Sequence, residues 1–572
     1  MFTPSRTARL LTAVVTTVLV EGCATPPAPG GVESSPTRDG PLPLTMAPRP
    51  TRSAVTERDL MTRLYIFADD SMLGRQGGTI GNLKGTAYIE GEVRRLGLEP
   101  GGDSGTFFQD VPLVRRSYDP AAALRVGDSP LKLGVDYLPI FPRGAPRPLE
   151  GATVVYGGIW GDTSVTEAQA AGKVLLFAAP STAFLALPRM SQSSRYAGAS
   201  AVMLASLDAA PPPLVQASRV TSLSLSMRGN TTLPQVAMPV YVTRRAAALL
   251  LGRSLDGATP GTPGGVLHGA VGVMETGAPA RNVVAILRGS DPALRQEYVA
   301  LGAHNDHLGG AAAAVDHDSL HAFNAEVWRQ RGRYSGLPEL PAEQRSRIVV
   351  NVDSLRAVRA PRRDSVYNGA DDDGSGSMAL LELAESLKGE PRAPRRSILF
   401  VWHTGEELGL LGSRWYTDHP TVPRESIVTQ INIDMIGRGS ADDTRGGGPA
   451  YLGIVGSRRL STELGDLTER VNAAQPTPLV FDYALDANGH PENIYCRSDH
   501  YNYARYGIPI VFLFTGLHGD YHQVTDEPQY LDYFHMARIT NFVRALTVEV
   551  ANLDHRVAVD KLVMGPGAAC RQ

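Results

Sequence analysis

Three runs of this chain are almost wholly apolar and too short for ordinary helices: SILFVWHT (397–404), IVTQINIDMIG (427–437) and IPIVFLFTG (508–516). A strand that is apolar at every position buries both faces, so each run reads as a strand in a sheet covered on both sides. NVVAILRG (282–289) and YVALGAH (298–304) extend the series, and SMALLELAESLKG (377–389) has the apolar spacing of an amphipathic helix. The pattern predicts an α/β fold: a central, mostly parallel or mixed sheet covered by helices.

The 572 residues exceed one ordinary domain. Between 125 and 268 the texture changes to short β-rich runs such as ATVVYGG, GKVLLFAAP, SAVMLAS and LPQVAMPVYVT, with Gly and Pro at nearly every junction. This stretch reads as a smaller, β-rich α+β domain inserted into the first. It carries no Ser-His-Asp set or metal-ligand cluster of its own. The α/β domain is then expected over 55–124 and 269–555, interrupted by an extra segment at 310–362 whose role the sequence does not reveal. Residues 556–572 read as a C-terminal tail.

At the start, Arg6 and Arg9 precede LLTAVVTTVLV (10–20), which fits the apolar core of a signal peptide (1–22) and is too short to span a membrane. The run ends in LVEGC, similar to a bacterial lipoprotein cleavage box. Lipidation at Cys23 is the preferred reading, and ordinary export with cleavage nearby is the alternative. Either way the protein is exported, and contact with a membrane is expected only through that anchor. Residues 23–54 are rich in Pro, Gly, Ser and Thr and read as a disordered tether, with order beginning near Val55. Cys496 and Cys570 are then the one possible disulfide pair; they lie far apart, and Cys570 sits in a Gly/Ala tail, which weighs against a bridge. The net charge of −3 excludes a polyanion partner, so no nucleic acid is expected.

The strand ends carry the chemistry. YVALGAH runs into His304-Asn305-Asp306-His307, SILFVW into His403 and Glu406-Glu407, TQINIDM contains Asp434, and IPIVFLFTG leads to His518 and Tyr521-His522. A turn with three aspartates, NGADDDGSG (368–376), precedes the amphipathic helix. Ligands bind where the strands of open α/β sheets end. Histidine and carboxylate donors suit Zn²⁺, with Mn²⁺ or Co²⁺ as substitutes.

In their order, GAHNDHLG, NGADDDGSG, HTGEELGLLGS, NIDMIG and RSDHYNY…TGLHGDYHQVTDEP resemble the motifs of the M28 zinc aminopeptidases. The 125–268 insert resembles a protease-associated domain. The resemblance implies two Zn²⁺: one held by His304 and Asp434, the other by Glu407 and His522, with Asp372 bridging. It further implies Glu406 as general base, Asp306 as the residue orienting His304, and Tyr521 as a contact to the substrate carbonyl. His307, His403, His500 and His518 are left to pocket lining or structure. The implied function is removal of N-terminal residues from peptides by metal-assisted water attack. A dipeptidase or carboxypeptidase of the same fold is the alternative. A one-zinc acyltransferase similar to glutaminyl cyclase, or a non-catalytic binding protein, fits the full ligand set less well.

Overall fold

The computed structural model describes residues 42–119, 121–140, 145–162, 164–179, 196–210, 224–227, 235–332 and 339–572. The expected signal peptide, Cys23 and the first part of the tether lie outside these residues. Residues 42–54, expected to be free tether, instead lie against the α/β domain. Leu42 and Met46 pack on its core, and Thr51 Oγ1 donates to Glu385 Oε2 at 2.6 Å. Among the described residues no helix is long and apolar enough to cross a membrane.

Among the described residues the main sheet has nine strands. Its centre runs Ser397–His403, Tyr298–His304, Ile427–Ile433, Ile510–Phe514, and these four strands are mutually parallel. Antiparallel neighbours close the flanks, Arg281–Leu287 on one side and Tyr451–Val455 on the other. The sheet is therefore mixed with a parallel core. In a parallel block every C-terminal end lies on the same edge, so the residues following His304, His403, Ile433 and Phe514 meet there.

Strand alternation divides the apolar residues between two cores. Val299, Leu301, Ile398 and Phe400 face helices Glu57–Phe67, Gly376–Lys388 and Tyr533–Asn552 through Leu60, Leu64, Met378, Leu381, Met536 and Phe542. Ala300, Leu399 and Val401 face the other way, toward Tyr416, Tyr503 and Ile494. Both sets are buried, which is why the strands read as unbroken apolar runs rather than alternating ones.

Among the described residues of 124–269, eight strands form a second sheet, with its own core around Val154, Leu176, Met203 and Val240. It is entered through Leu113–Tyr118 and left through Val273–Ala278. These two strands pair antiparallel along their whole length, Tyr118 opposite Val273 and Leu113 opposite Ala278. The extra segment also has structure. Strand Gly309–Asp316 leads into helix His317–Arg331, and Arg363–Tyr367 returns antiparallel to the first strand.

Candidate metal centre

The site forms around the three-aspartate turn. Gly369 opens it at φ +52°, where a Cβ would lie 2.3 Å from Asp372 O and 2.5 Å from the His307 ring, so only glycine fits. The fully buried Arg75 guanidinium secures the turn by donating to Asn368 O at 2.6 Å and Gly369 O at 2.8 Å. Two of the aspartates are consumed by the backbone. Asp371 Oδ1 accepts from Gly437 N, and Asp373 accepts from Gly376 N, Met435 N and His304 N. Asp372 alone presents both carboxylate oxygens to the strand ends.

Two groups converge on it. His304 Nε2 lies 3.1 Å from Asp372 Oδ1 and 3.6 Å from Asp434 Oδ1. On the other side, His522 Nε2 lies 3.1 Å from both Asp372 Oδ2 and Glu407 Oε2, and His307 Nδ1 lies 2.7 Å from Glu407 Oε1. The structure thus brings together His304, Asp372, Asp434, Glu407 and His522, and adds His307 to the second group. Nothing in the local sequence separates His307 from His304; only the fold turns the later ring toward Glu407.

Neighbours hold these side chains in place. His304 Nδ1 is 3.1 Å from Asp306 O and 3.7 Å from Asp306 Oδ1, which leaves Nε2 for the centre. Asp306 Oδ1 also accepts from Glu406 N at 3.1 Å. Ser498 Oγ donates to Asp434 Oδ2 at 2.7 Å. Met435 and His522, next to or within the group, adopt left-handed φ of 56° and 58°. Such strain in side-chain-bearing residues collects at functional sites. The other histidines are engaged elsewhere: His403 with Tyr503 at 3.0 Å, His518 with Asp371 at 3.3 Å, and His500 stacked on Phe512.

The electrostatics show an excess of negative charge. Burial and the Asp434 and Glu407 carboxylates push Glu406 well above the usual carboxylate range, although His304 opposes this. Burial also disfavours ionised Asp372, but bonds from His304 and His522 outweigh it and hold that carboxyl well below its usual range. Burial works against a charged His522, yet Asp372 and Glu407 push it up to about 10.

The donors suit divalent metal ions. Buried His307 Nδ1, Glu407 Oε1 and His522 Nε2 face one another or Asp372 at 2.7–3.1 Å without well-aligned hydrogen-bond geometry, and His307 Nε2 has no partner within reach. Tetrahedral bonds of about 2.1 Å set donor atoms roughly 3.4 Å apart, and the 3.1 and 3.6 Å separations above bracket that value. Beside the centre is a pocket with an apolar wall of Met435, Ile494, Phe512, Phe514 and Leu517. Glu406 and Tyr521 stand at its edge, and Arg497 Nη2 donates to the Tyr521 hydroxyl at 3.2 Å.

The parallel strand ends of this α/β domain gather histidines and carboxylates around one shared aspartate, a donor set that suits divalent metal ions. Residues 339–547 match Peptidase family M28. Leucine aminopeptidase 1 of Ajellomyces capsulatus (strain G186AR / H82 / ATCC MYA-2454 / RMSCC 2432) is 29% identical over 237 residues, 39% of this chain and 57% of that protein. Leupeptin-inactivating enzyme 1 of Streptomyces exfoliatus is 30% identical over 169 residues, 29% of this chain and 33% of that one. The chain thus spans little more than half the length of the first of these relatives. A solved zinc aminopeptidase from Bacillus subtilis superposes with TM-score 0.45 at 16% identity, covering 87% of this chain and 96% of that one.

Proposed function

We propose that the protein is an exported, two-zinc aminopeptidase. The observation that carries this reading is Asp372 shared between two His/carboxylate groups, with Glu406 at the edge of the adjoining apolar pocket. His304, Asp434 and Asp372 would hold one ion; Asp372, Glu407 and His522 the other. Bound zinc polarises a carbonyl and lowers the pKa of water toward about 7.

This chain's own residues supply the rest. Glu406 takes the proton of the attacking water and returns it to the leaving amine as the C–N bond breaks. The Tyr521 hydroxyl, oriented by Arg497, donates to the carbonyl oxygen of the substrate. The apolar wall receives an aliphatic or aromatic N-terminal side chain, and Asp434 faces the free α-amine. Asp306 keeps His304 and the backbone of Glu406 in register. Cys23 is proposed as the lipid-bearing residue, which mass analysis of the N-terminal peptide would reveal by its acyl chains.

The test compares one good peptide before and after N-acetylation, beside a series of aminoacyl-anilides. Hydrolysis should require the free amine and favour apolar first residues. Equal rates on blocked and free peptides would reject aminopeptidase action in favour of a carboxypeptidase.

A further inference from the structure

Away from Asp372, a second set of metal-type donors meets where the extra segment touches the His522 loop. His317 opens the helix His317–Arg331, Asp364 lies on the returning strand Arg363–Tyr367, and Glu527 follows the loop that carries His522. One donor atom from each lies within 4.8 Å of the other two. All three side chains are buried, at 0%, 7% and 4% exposure.

The set differs from an ordinary buried polar cluster in what it leaves unpaired. Neither nitrogen of the fully buried His317 ring makes a hydrogen bond, and neither does Asp364 Oδ2. A buried imidazole with two unsatisfied nitrogens is destabilising unless something else takes those lone pairs or protons. His317 Nε2 points toward Glu527 Oε1 at 3.5 Å, too long for a good hydrogen bond but close to the roughly 3.4 Å edge of a zinc tetrahedron. Arg362 grips both oxygens of Glu527, at 3.0 and 2.8 Å. A carboxylate has about four lone-pair positions, so that fork still leaves room for a cation on Oε1.

We propose that His317, Asp364 and Glu527 form a third divalent-metal site, separate from the centre around Asp372, that fastens the 309–367 segment to the loop carrying His522. One imidazole and two carboxylates suit Zn²⁺. The competing charge of Arg362 makes this ion the most weakly held of the three. Glu527 adjoins Asp526, whose carboxylate accepts the amides of Asp371 and Asp372 at 3.1 Å. The ion therefore braces the catalytic turn from behind without contacting substrate.

The test uses full-length protein, stripped with chelator, reloaded with Zn²⁺ and dialysed briefly. Crystals are then measured across the zinc absorption edge. Wild type should show an anomalous peak between His317, Asp364 and Glu527, and solution analysis should give three zinc per chain. Folded His317→Ala or Asp364→Asn should lose that peak alone, fall to two zinc per chain and still hydrolyse peptides. A wild-type map with no peak there at saturating zinc overturns the proposal, as does a peak that survives in either variant. Peaks missing from the Asp372 centre would count against the two-zinc reading instead, so the two failures are separable. Should neither variant fold, the wild-type map still decides.

Discussion

Glu406 and Glu407 are adjacent, and adjacent carboxylates repel unless each finds a different partner. The structure separates them: Glu407 faces His307 and His522, while Glu406 borders the apolar pocket. Gly405, at φ +70°, lets the backbone turn just before them. Replacing each by glutamine should therefore fail differently. Glu406→Gln keeps shape and removes the proton acceptor, which should cost about 10²–10⁴-fold in kcat with both metals retained. Glu407→Gln should lose one metal on dialysis and recover part of its activity in excess zinc. Metal analysis followed by activity across added zinc distinguishes them, and a metal lost from Glu406→Gln but not from Glu407→Gln would reverse the roles.

At the level of elements, the turn Ile494–Cys496 forms one wall of the pocket, and the next two residues connect it to the centre. Arg497 bonds Tyr521 and Ser498 bonds Asp434. A disulfide from Cys496 to Cys570 ties this turn to the C-terminal tail across 74 positions. In the chain-entropy model, closing a loop of that size removes unfolded-chain entropy worth about 4.5 kcal/mol. Cys570→Ser should lower the denaturation midpoint by a corresponding amount and raise KM more than it lowers kcat, because it loosens the pocket wall and leaves the metal donors alone. A denaturant titration with and without reductant, alongside Michaelis constants for an apolar substrate, measures both. Unchanged midpoint and KM would mean that the tail is ornamental to the pocket.

For the whole molecule, the inserted 125–268 region hangs from the paired strands Leu113–Tyr118 and Val273–Ala278. The base of that ribbon packs through Val111, Leu113, Ala278 and Ala280 on Leu408, Leu411 and Trp415, directly after the two glutamates. We propose that the insert limits which peptides reach the centre. Joining Tyr118 to Val273 by a short turn should preserve zinc content and the cleavage of aminoacyl-anilides while widening the range of peptide lengths accepted. A folded, metal-loaded deletion with an unchanged length profile would refute the gating role.

Much of the α/β domain was legible in the sequence because a doubly covered strand must be apolar throughout, and that pattern is local. The candidate donors at strand ends were visible for a related reason, since parallel strands deliver their C-terminal ends to one edge, but the choice of His304, Glu407, Asp434 and His522 among them rested on the resemblance to the M28 motifs. Asp372 was singled out from its neighbours only by the spacing of the family motif it resembles, and the physical ground for the choice is tertiary, since amides from distant segments occupy Asp371 and Asp373. Other features were decided by the fold alone. His307 turns toward Glu407 from a different strand end, Cys570 meets Cys496, and Leu42 and Met46 find the core although their stretch reads as a tether. His317, Asp364 and Glu527 carry no periodicity or motif that links them. Their meeting is set by one antiparallel strand pair and one loop, and contacts of that range leave no trace in local pattern.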